Sequence, residues 1–196
     1  MKATLLAGAL ALTALAANAA PTTYQIDPDH TYPSFEADHM GGLSVLRGTF
    51  KATSGKITLD KAAKAGDIDI TIDTTSLAFV NDKLSEHAKK DAKMFDVAKY
   101  PTATFKGKLA KFSGESPTEA QGELTLHGVT KPVTLKINQF LCKQHPMKKV
   151  EVCGAEASTT INRYEYGITY GDNFGFKPDV KLEIEVEALA AGGSAT

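Results

Sequence analysis

At residues 67–73 the chain reads Asp67-Ile68-Asp69-Ile70-Thr71-Ile72-Asp73, an unbroken alternation of polar and β-branched side chains. Successive side chains of a β-strand point to opposite faces, so the three isoleucines would share one face and the polar groups the other. One apolar and one polar face are typical of an antiparallel strand that is buried on one side. The stretch therefore predicts a half-buried β-strand.

The same alternation recurs along the chain and sets its fold class. It appears at residues 104–109, 121–127, 133–138 and 180–187. Turn signals such as His127-Gly128 separate the segments, and Ser54-Gly55 predicts a bend or bulge within residues 46–59. About eight to nine strands of this kind predict an all-β fold, either a two-layer sandwich or a closed barrel.

Residues 81–95 depart from this pattern and predict the one short helix. Leu84, His87 or Ala88, and Asp91 or Ala92 recur at helical spacing, and Asn81 or Asp82 suits the cap position. Four lysines lie between residues 82 and 93. They are typical of a solvated helix face, and a partner site is the alternative.

Length and composition limit the classes of protein that fit. The chain has 196 residues, with 42% hydrophobic and 23% charged residues, which is ordinary for one globular domain or two small ones. Lys+Arg (22) nearly cancel Asp+Glu (23), so the chain lacks the basic excess of a phosphate-backbone binder. Nucleic acid is therefore not expected as a partner.

The first 19 residues predict a secretory signal peptide. Lys2 is followed by an apolar run from Ala3 to Ala17, and Ala17-Asn18-Ala19 fits a small-x-small cleavage site. The alternative is an uncleaved membrane anchor, for which the run is short. Cleavage leaves residues 20–196 as one domain, and we expect this domain to be soluble and periplasmic.

The two cysteines, Cys142 and Cys153, predict a disulfide bond in an exported protein. Apolar residues flank both, and Pro146 lies near the middle of the segment between them, which predicts a hairpin that places the cysteines face to face. A metal site formed with His145 is the alternative, but this spacing matches no common zinc pattern.

Catalytic motifs are missing from the sequence. It contains no Gly-x-Ser-x-Gly, no His-Glu-x-x-His and no glycine-rich phosphate loop. The five histidines lie in different predicted elements, so we expect no metal site, and the position of His127 beside Gly128 favours a hydrogen-bonding role in a turn. An enzyme acting on a lipid would need polar groups that converge in a cavity, with His30, His39 and Arg163 as the candidates.

Alternation shows which face of each strand is apolar, but it leaves open whether the interior is a packed core or a cavity. A series of short blocks narrows the choice. In chain order these are Tyr24-x-Ile26-Asp27 with Asp29-His30; Phe35, His39, Gly42, Ser44 and Gly48-Thr49-Phe50; Ile72-Asp73-Thr74-Thr75-Ser76; Phe95-Asp96-Val97-Ala98-Lys99-Tyr100-Pro101-Thr102-Ala103-Thr104-Phe105; residues 122–133; and Arg163-Tyr164-Glu165-Tyr166-Gly167-Ile168. In this order, over essentially all of the mature sequence, they resemble the YceI-like family of exported polyisoprenoid-binding proteins.

The resemblance implies an antiparallel lipocalin-like barrel of about eight strands with an isoprenoid chain in its interior. It suggests polyprenyl lipids and isoprenoid quinones as ligands and implies no required cofactor. The helical segment would cover or narrow the mouth of the barrel. The candidate lining residues are Phe35, Phe50, Ile68, Ile70, Ile72, Phe95, Phe105, Leu124, Leu126, Leu135, Ile137, Leu182 and Ile184.

Two functions follow as hypotheses from the sequence. The first is a non-enzymatic periplasmic carrier or reservoir for an isoprenoid lipid, with transient membrane contact and a homodimer as further expectations. The alternative is an exported interaction or adhesion protein whose barrel is only a scaffold, with the lysine-rich helix as its partner site.

Overall fold

The structure, a computed structural model, describes residues 20–192, so the expected signal peptide at residues 1–19 lies outside the described residues. Within this range the chain forms eleven strands and one α-helix. The strands are β1 (Thr22–Ile26), β2 (Tyr32–His39), β3 (Ser44–Phe50), β4 (Thr53–Asp60), β5 (Ala65–Asp73), β6 (Leu77–Phe79), β7 (Thr102–Ser113), β8 (Ser116–Leu126), β9 (Val129–Gln144), β10 (Glu151–Asn162) and β11 (Asp179–Ala190). The helix is α1 (Asp82–Lys90).

Eight of the strands close into an antiparallel barrel. They follow the order β1-β4-β5-β7-β8-β9-β10-β11, and β1 also pairs with β11, which removes both sheet edges. The prediction of a barrel of about eight strands with one short helix is confirmed. The apolar rows of the alternating segments all face the barrel interior, which is why a period of two dominates the sequence.

The barrel is extended at one end by the three remaining strands. β11 is long enough to pair with β1 through residues 188–190 and with β2 through residues 180–185. β3 then pairs with β2, and β6 with β3. These three strands account for the difference between the eleven observed and the eight to nine expected.

The bend expected at Ser54-Gly55 is wrong. Gly55 stays inside β4, opposite Ile70, and the break falls at Lys51-Ala52 between β3 and β4. There the amides of Lys51 and Ala52 both donate to the Ser76 hydroxyl at 3.0 Å. A side chain 24 residues further along the chain therefore fixes the bend, so local turn chemistry could not locate it.

Helix α1 begins where the sequence predicts and ends earlier. Asn81 caps it, with its side-chain oxygen accepting hydrogen bonds from the amides of Lys83 and Leu84. The helix stops at Lys90 because Asp91 is extended and the chain turns back: the Phe95 amide donates to the Ala88 carbonyl at 3.1 Å. We call residues 81–100, the helix with this return segment, the lid.

The predicted disulfide between Cys142 and Cys153 is present. The two residues lie directly opposite each other on β9 and β10, and the connecting turn carries Pro146 as expected. His145 caps this turn, with its Nδ1 accepting from the amides of Met147 and Lys148. In the chain-entropy view, closing so short a loop stabilises the fold by about 3 kcal/mol.

Asp27 joins this hairpin to the start of the barrel. Its buried carboxylate contacts the His30 ring at 3.2 Å, the Asp29 amide at 3.2 Å and the Lys148 ammonium at 3.4 Å. Burial alone would raise the pKa of this carboxyl, but the hydrogen bonds from His30, Asp29 and Lys148 outweigh it and lower the pKa. The ionised form is therefore the one that the folded state stabilises.

We expect Asp27→Asn to lower the free energy of unfolding at pH 7 by about 1–3 kcal/mol, because three polar groups lose a charged acceptor. The folded-state pKa is lowered, so the stabilisation is complete above the unfolded pKa of about 3.9 and disappears as the pH falls through the folded value. Urea unfolding at pH 7 and about pH 2 measures this. A difference that is the same at both pH values would contradict the assignment, and Asp29→Asn, exposed next to it, is the control.

Candidate functional site

The barrel interior holds an apolar cavity, here called the inner cavity. It has a volume of about 190 Å³, many times the roughly 30 Å³ that one water molecule takes up in the liquid. Its wall is built from the inward rows of the barrel strands, so the interior is hollow along these rows. Polar side chains are few, and two of them, Thr31 and Ser34, donate hydrogen bonds to backbone carbonyls, those of Glu187 and Tyr32.

A second cavity of about 220 Å³, the outer cavity, lies under the lid. Strand residues form one side of it, and the lid and the segment 163–178 form the other. The residues that the lid and this segment contribute are Leu84, His87, Met94, Phe95, Arg163, Ile168, Tyr170 and Phe176.

The two cavities meet at a shared wall, here called the waist. Phe35, Phe50, Leu126 and Leu182 line both cavities. Phe95 of the lid packs on this wall, with its ring centroid 5.8 Å from that of Phe35 and 5.7 Å from that of Phe50. The two cavities are therefore adjacent, and aromatic rings lie at the boundary between them.

Gly48 is what allows the Phe35 ring to lie at the waist. The ring crosses β3 at this position, and a Cβ on residue 48 would lie 2.7 Å from Phe35 Cε1, closer than side chains approach. Phe79 then meets the same ring edge-on, with centroids 5.7 Å apart. The glycine in the Gly48-Thr49-Phe50 block thus sets the position of the aromatic cluster.

All thirteen predicted lining residues border one or both of these cavities. Phe95 borders the outer cavity, Phe35, Phe50, Leu126 and Leu182 border both, and the remainder border the inner cavity: Ile68, Ile70, Ile72, Phe105, Leu124, Leu135, Ile137 and Ile184. Their contact with a ligand stays a prediction.

Polar groups gather at the outer cavity. Arg163 is only 7% exposed, and its Nε, Nη1 and Nη2 donate to the carbonyls of Lys177, Ile168 and Phe176 at 3.2, 2.9 and 3.3 Å. Burial lowers the pKa of this guanidinium from its ordinary value, yet an arginine remains charged at neutral pH. Because its nitrogens hold three backbone carbonyls, Arg163 fixes the shape of the loop that forms one wall.

His39 and His87 both line the outer cavity. The His39 ring meets Phe176 edge-on at 5.0 Å, and its Nδ1 lies 3.3 Å from the Ser44 hydroxyl. The His87 ring meets Tyr170 edge-on at 5.2 Å. Its Nε2 lies 3.9 Å from the Asp91 carboxylate.

The structure separates the residues considered for catalysis. His39 and Arg163 both border the outer cavity, but His30 is exposed and bonds to Asp27 near the disulfide hairpin. His127 Nδ1 lies 3.0 Å from the Tyr166 carbonyl oxygen, consistent with the hydrogen-bonding role expected in its turn. The three candidates of the enzyme hypothesis therefore do not converge.

One cluster of potential metal-ligating side chains occurs among residues 20–192: Cys142, Glu151 and Cys153. Both sulfurs of this cluster are already joined in the disulfide. Glu151 is also engaged, since it pairs with Lys61 and accepts a hydrogen bond from the Tyr24 hydroxyl at 3.3 Å. These groups therefore form a polar anchor at the end of the barrel opposite the lid.

The positive charge of the lysine-rich helix face is partly neutralised by Glu86 of the same helix. Glu86 pairs with Lys90 at 3.1 Å and with Lys89 at 3.5 Å, and these lysines lower the pKa of the Glu86 carboxyl. Such pairs are typical of a solvated face. The partner role of this helix stays a prediction.

The loop residues that line the outer cavity were not predicted from the sequence. Ile168, Tyr170 and Phe176 lie in segments without period-two alternation, and Met94 follows the end of α1. The only available signal was the Arg163–Ile168 block, which marks the start of this loop. Among residues 20–192, no helix is long and apolar enough to cross a membrane.

Comparison with known proteins shows which protein family this chain resembles. A sequence model of the YceI-like domain matches residues 24–188. A UPF0312 protein of Pseudomonas putida strain W619 is 37% identical over 161 residues, covering 78% of this chain and 80% of that protein.

Solved protein structures share this fold. BcnA of Burkholderia cenocepacia superimposes with a TM-score of 0.67 at 20% identity, covering 83% of this chain and 99% of that chain. A polyisoprenoid binding domain from Saccharophagus degradans, implicated in plant cell wall breakdown, superimposes with a TM-score of 0.59 at 16% identity, covering 85% and 98%.

Proposed function

The chain belongs to the YceI-like family, and from this premise we propose that it binds an isoprenoid lipid inside its barrel as a non-enzymatic carrier or reservoir. The observation that carries the proposal is the pair of adjoining apolar cavities, one inside the barrel and one under the lid. The name of the Saccharophagus degradans domain, which shares the fold, supports the ligand class.

The driving force is burial of the isoprenoid tail. Each buried CH₂-sized group contributes about 0.8 kcal/mol, so one five-carbon unit contributes on the order of 4 kcal/mol before ordering costs. Methyl-branched units suit a wall of isoleucine, leucine and phenylalanine side chains. A site of this kind needs few polar contacts, which agrees with the lack of catalytic motifs.

The distribution of polar groups orients the lipid. The tail would lie in the inner cavity, and the headgroup in the outer cavity near His39, His87 and Tyr170. Asp38 and Arg163 carry opposite charges there, and the Arg163 nitrogens are held by carbonyls. Three of the five Arg163 N–H groups are already used by carbonyls and Asp38 adds a negative charge, so this wall favours an uncharged, ring-bearing headgroup such as a quinone over a phosphate.

The site of action in this proposal is the periplasm. The sequence of residues 1–19 supports export, and the disulfide between Cys142 and Cys153 suits an oxidising compartment. Transient contact with a membrane would supply and receive the lipid.

The test is to produce the full chain in its own host and to isolate it from the periplasmic fraction without detergent. Native mass spectrometry should show about one bound lipid per chain, and the extracted lipid should carry an isoprenoid tail on an uncharged headgroup. A phosphorylated polyprenol would correct the headgroup only. Protein that carries no lipid, or only fatty acids and phospholipids, would refute isoprenoid binding.

A further inference from the structure

Exposed apolar side chains concentrate at the lid end of the barrel. Leu43 is 72% exposed, and Val80 is fully exposed. A soluble protein rarely gathers such side chains without a partner. We call this group the mouth patch; its members are Met40, Leu43, Val45, Val80 and Phe174.

The fold brings this patch together from separate elements. Met40 and Leu43 lie in the turn between β2 and β3, and Phe174 lies in the loop before β11. The two loops touch, since the Gly175 carbonyl oxygen lies 3.4 Å from the position of a Cβ on residue 41. Val80 follows β6, one residue beyond the pair formed by Phe79 with Gly48 of β3.

The patch borders the opening of the outer cavity. Along β3, Val45 points outward while its neighbour Leu46 lines the cavity. Similarly, His39 and Phe176 line the cavity. His39 directly precedes Met40, and Phe176 lies two residues beyond Phe174. A surface that covers the mouth patch would therefore also face the entrance to the lipid path.

The surroundings of the patch fit a lipid bilayer. The Lys177 ammonium lies 3.6 Å from the position of a Cβ on residue 42, beside the exposed turn. The carboxylate of Asp38, at the base of this turn, is engaged by the amides of Gly41 and Lys177. The charges around the patch are mixed, because Asp82 lies near Val80 and Asp172 near Phe174, so the fit to a bilayer rests on the apolar side chains of the projecting loops.

We infer that the mouth patch docks on a lipid bilayer, so that the outer cavity opens toward the lipid from which the ligand comes. This inference rests on the proposed function for its choice of partner. It assigns to Leu43 and Phe174 a role in delivery, separate from the residues that line the cavity.

Vesicle flotation of the full chain tests the docking. The vesicles contain phosphatidylethanolamine and phosphatidylglycerol but no isoprenoid, so that docking is measured apart from ligand binding. The double variant Leu43→Ser with Phe174→Ser should lower the vesicle-bound fraction about tenfold. The matched control is Leu141→Ser with Met147→Ser, two exposed apolar residues on the disulfide hairpin at the opposite end, which should leave it unchanged.

Two further measurements separate the outcomes. Uptake of an isoprenoid quinone from detergent micelles should be equal in all variants, because no cavity residue is changed; if the unaltered chain takes up none, the proposed function fails while the docking result stands. Equal flotation of both double variants would overturn the docking surface. Sedimentation analysis that shows a dimer lost only in the mouth-patch variant, without vesicle binding by the unaltered chain, would assign the patch to a second copy instead.

Discussion

Ala157→Phe should empty the barrel of its lipid, with bound isoprenoid falling at least about tenfold. Ala157 lies on β10 opposite Ile137 of β9 and Ile184 of β11, and all three line the inner cavity. A benzyl group at this position occupies the space that the proposed tail would take. Because the cavity is hollow there, we expect the overpacking cost to stay near the lower end of about 1–3 kcal/mol.

The measurement is the lipid content of host-purified protein, together with the melting temperature. Thr134→Phe is the matched control, because Thr134 is exposed on β9 between the cavity-lining Val133 and Leu135. This control should retain normal lipid content. A folded Ala157→Phe protein with undiminished lipid would mean that the ligand does not use the inner cavity.

The inward-facing row of each barrel strand could be predicted because strand geometry has a strict period. Once Ile68, Ile70 and Ile72 share a face, their neighbours must share the other, and a slip by one residue would reverse the whole strand. Closure into a barrel then brings the apolar faces together. The inward-facing side chains of each strand could therefore be identified from the sequence of that strand alone. Whether a cavity lies between them could not be predicted, because packed and hollow interiors have the same alternation.

The outer cavity could not be predicted in the same way, because long-range contacts form it. Arg163 holds the carbonyls of residues 168, 176 and 177, and the Tyr170 amide donates to the Lys93 carbonyl at 3.0 Å, joining this loop to the lid. None of these hydrogen bonds can be inferred from the alternation of apolar and polar residues in the sequence. The misplaced bend near Gly55 has the same origin, since Ser76 from a distant segment determines where β3 ends.

A second large effect is expected from a substitution in the lid. Phe95→Ala should speed the release of bound lipid about tenfold or more and lower the free energy of unfolding by about 2–4 kcal/mol. Phe95 is the lid side chain that packs between Phe35 and Phe50 at the waist. Without its ring, the return segment keeps its backbone hydrogen bonds to α1 but loses its apolar anchor, so the outer cavity opens more often.

Release can be followed by transfer of a fluorescent isoprenoid analogue to acceptor vesicles in excess. Phe112→Ala is the matched control, because Phe112 is also half-buried but packs against the core at the opposite end of the barrel, near Tyr24. Its loss should cost stability without faster release, and Phe95→Leu, which retains an apolar anchor, should restore slow release. If Phe95→Ala and Phe112→Ala release lipid at equal rates, general destabilisation explains the effect, and the waist does not control the path between the cavities.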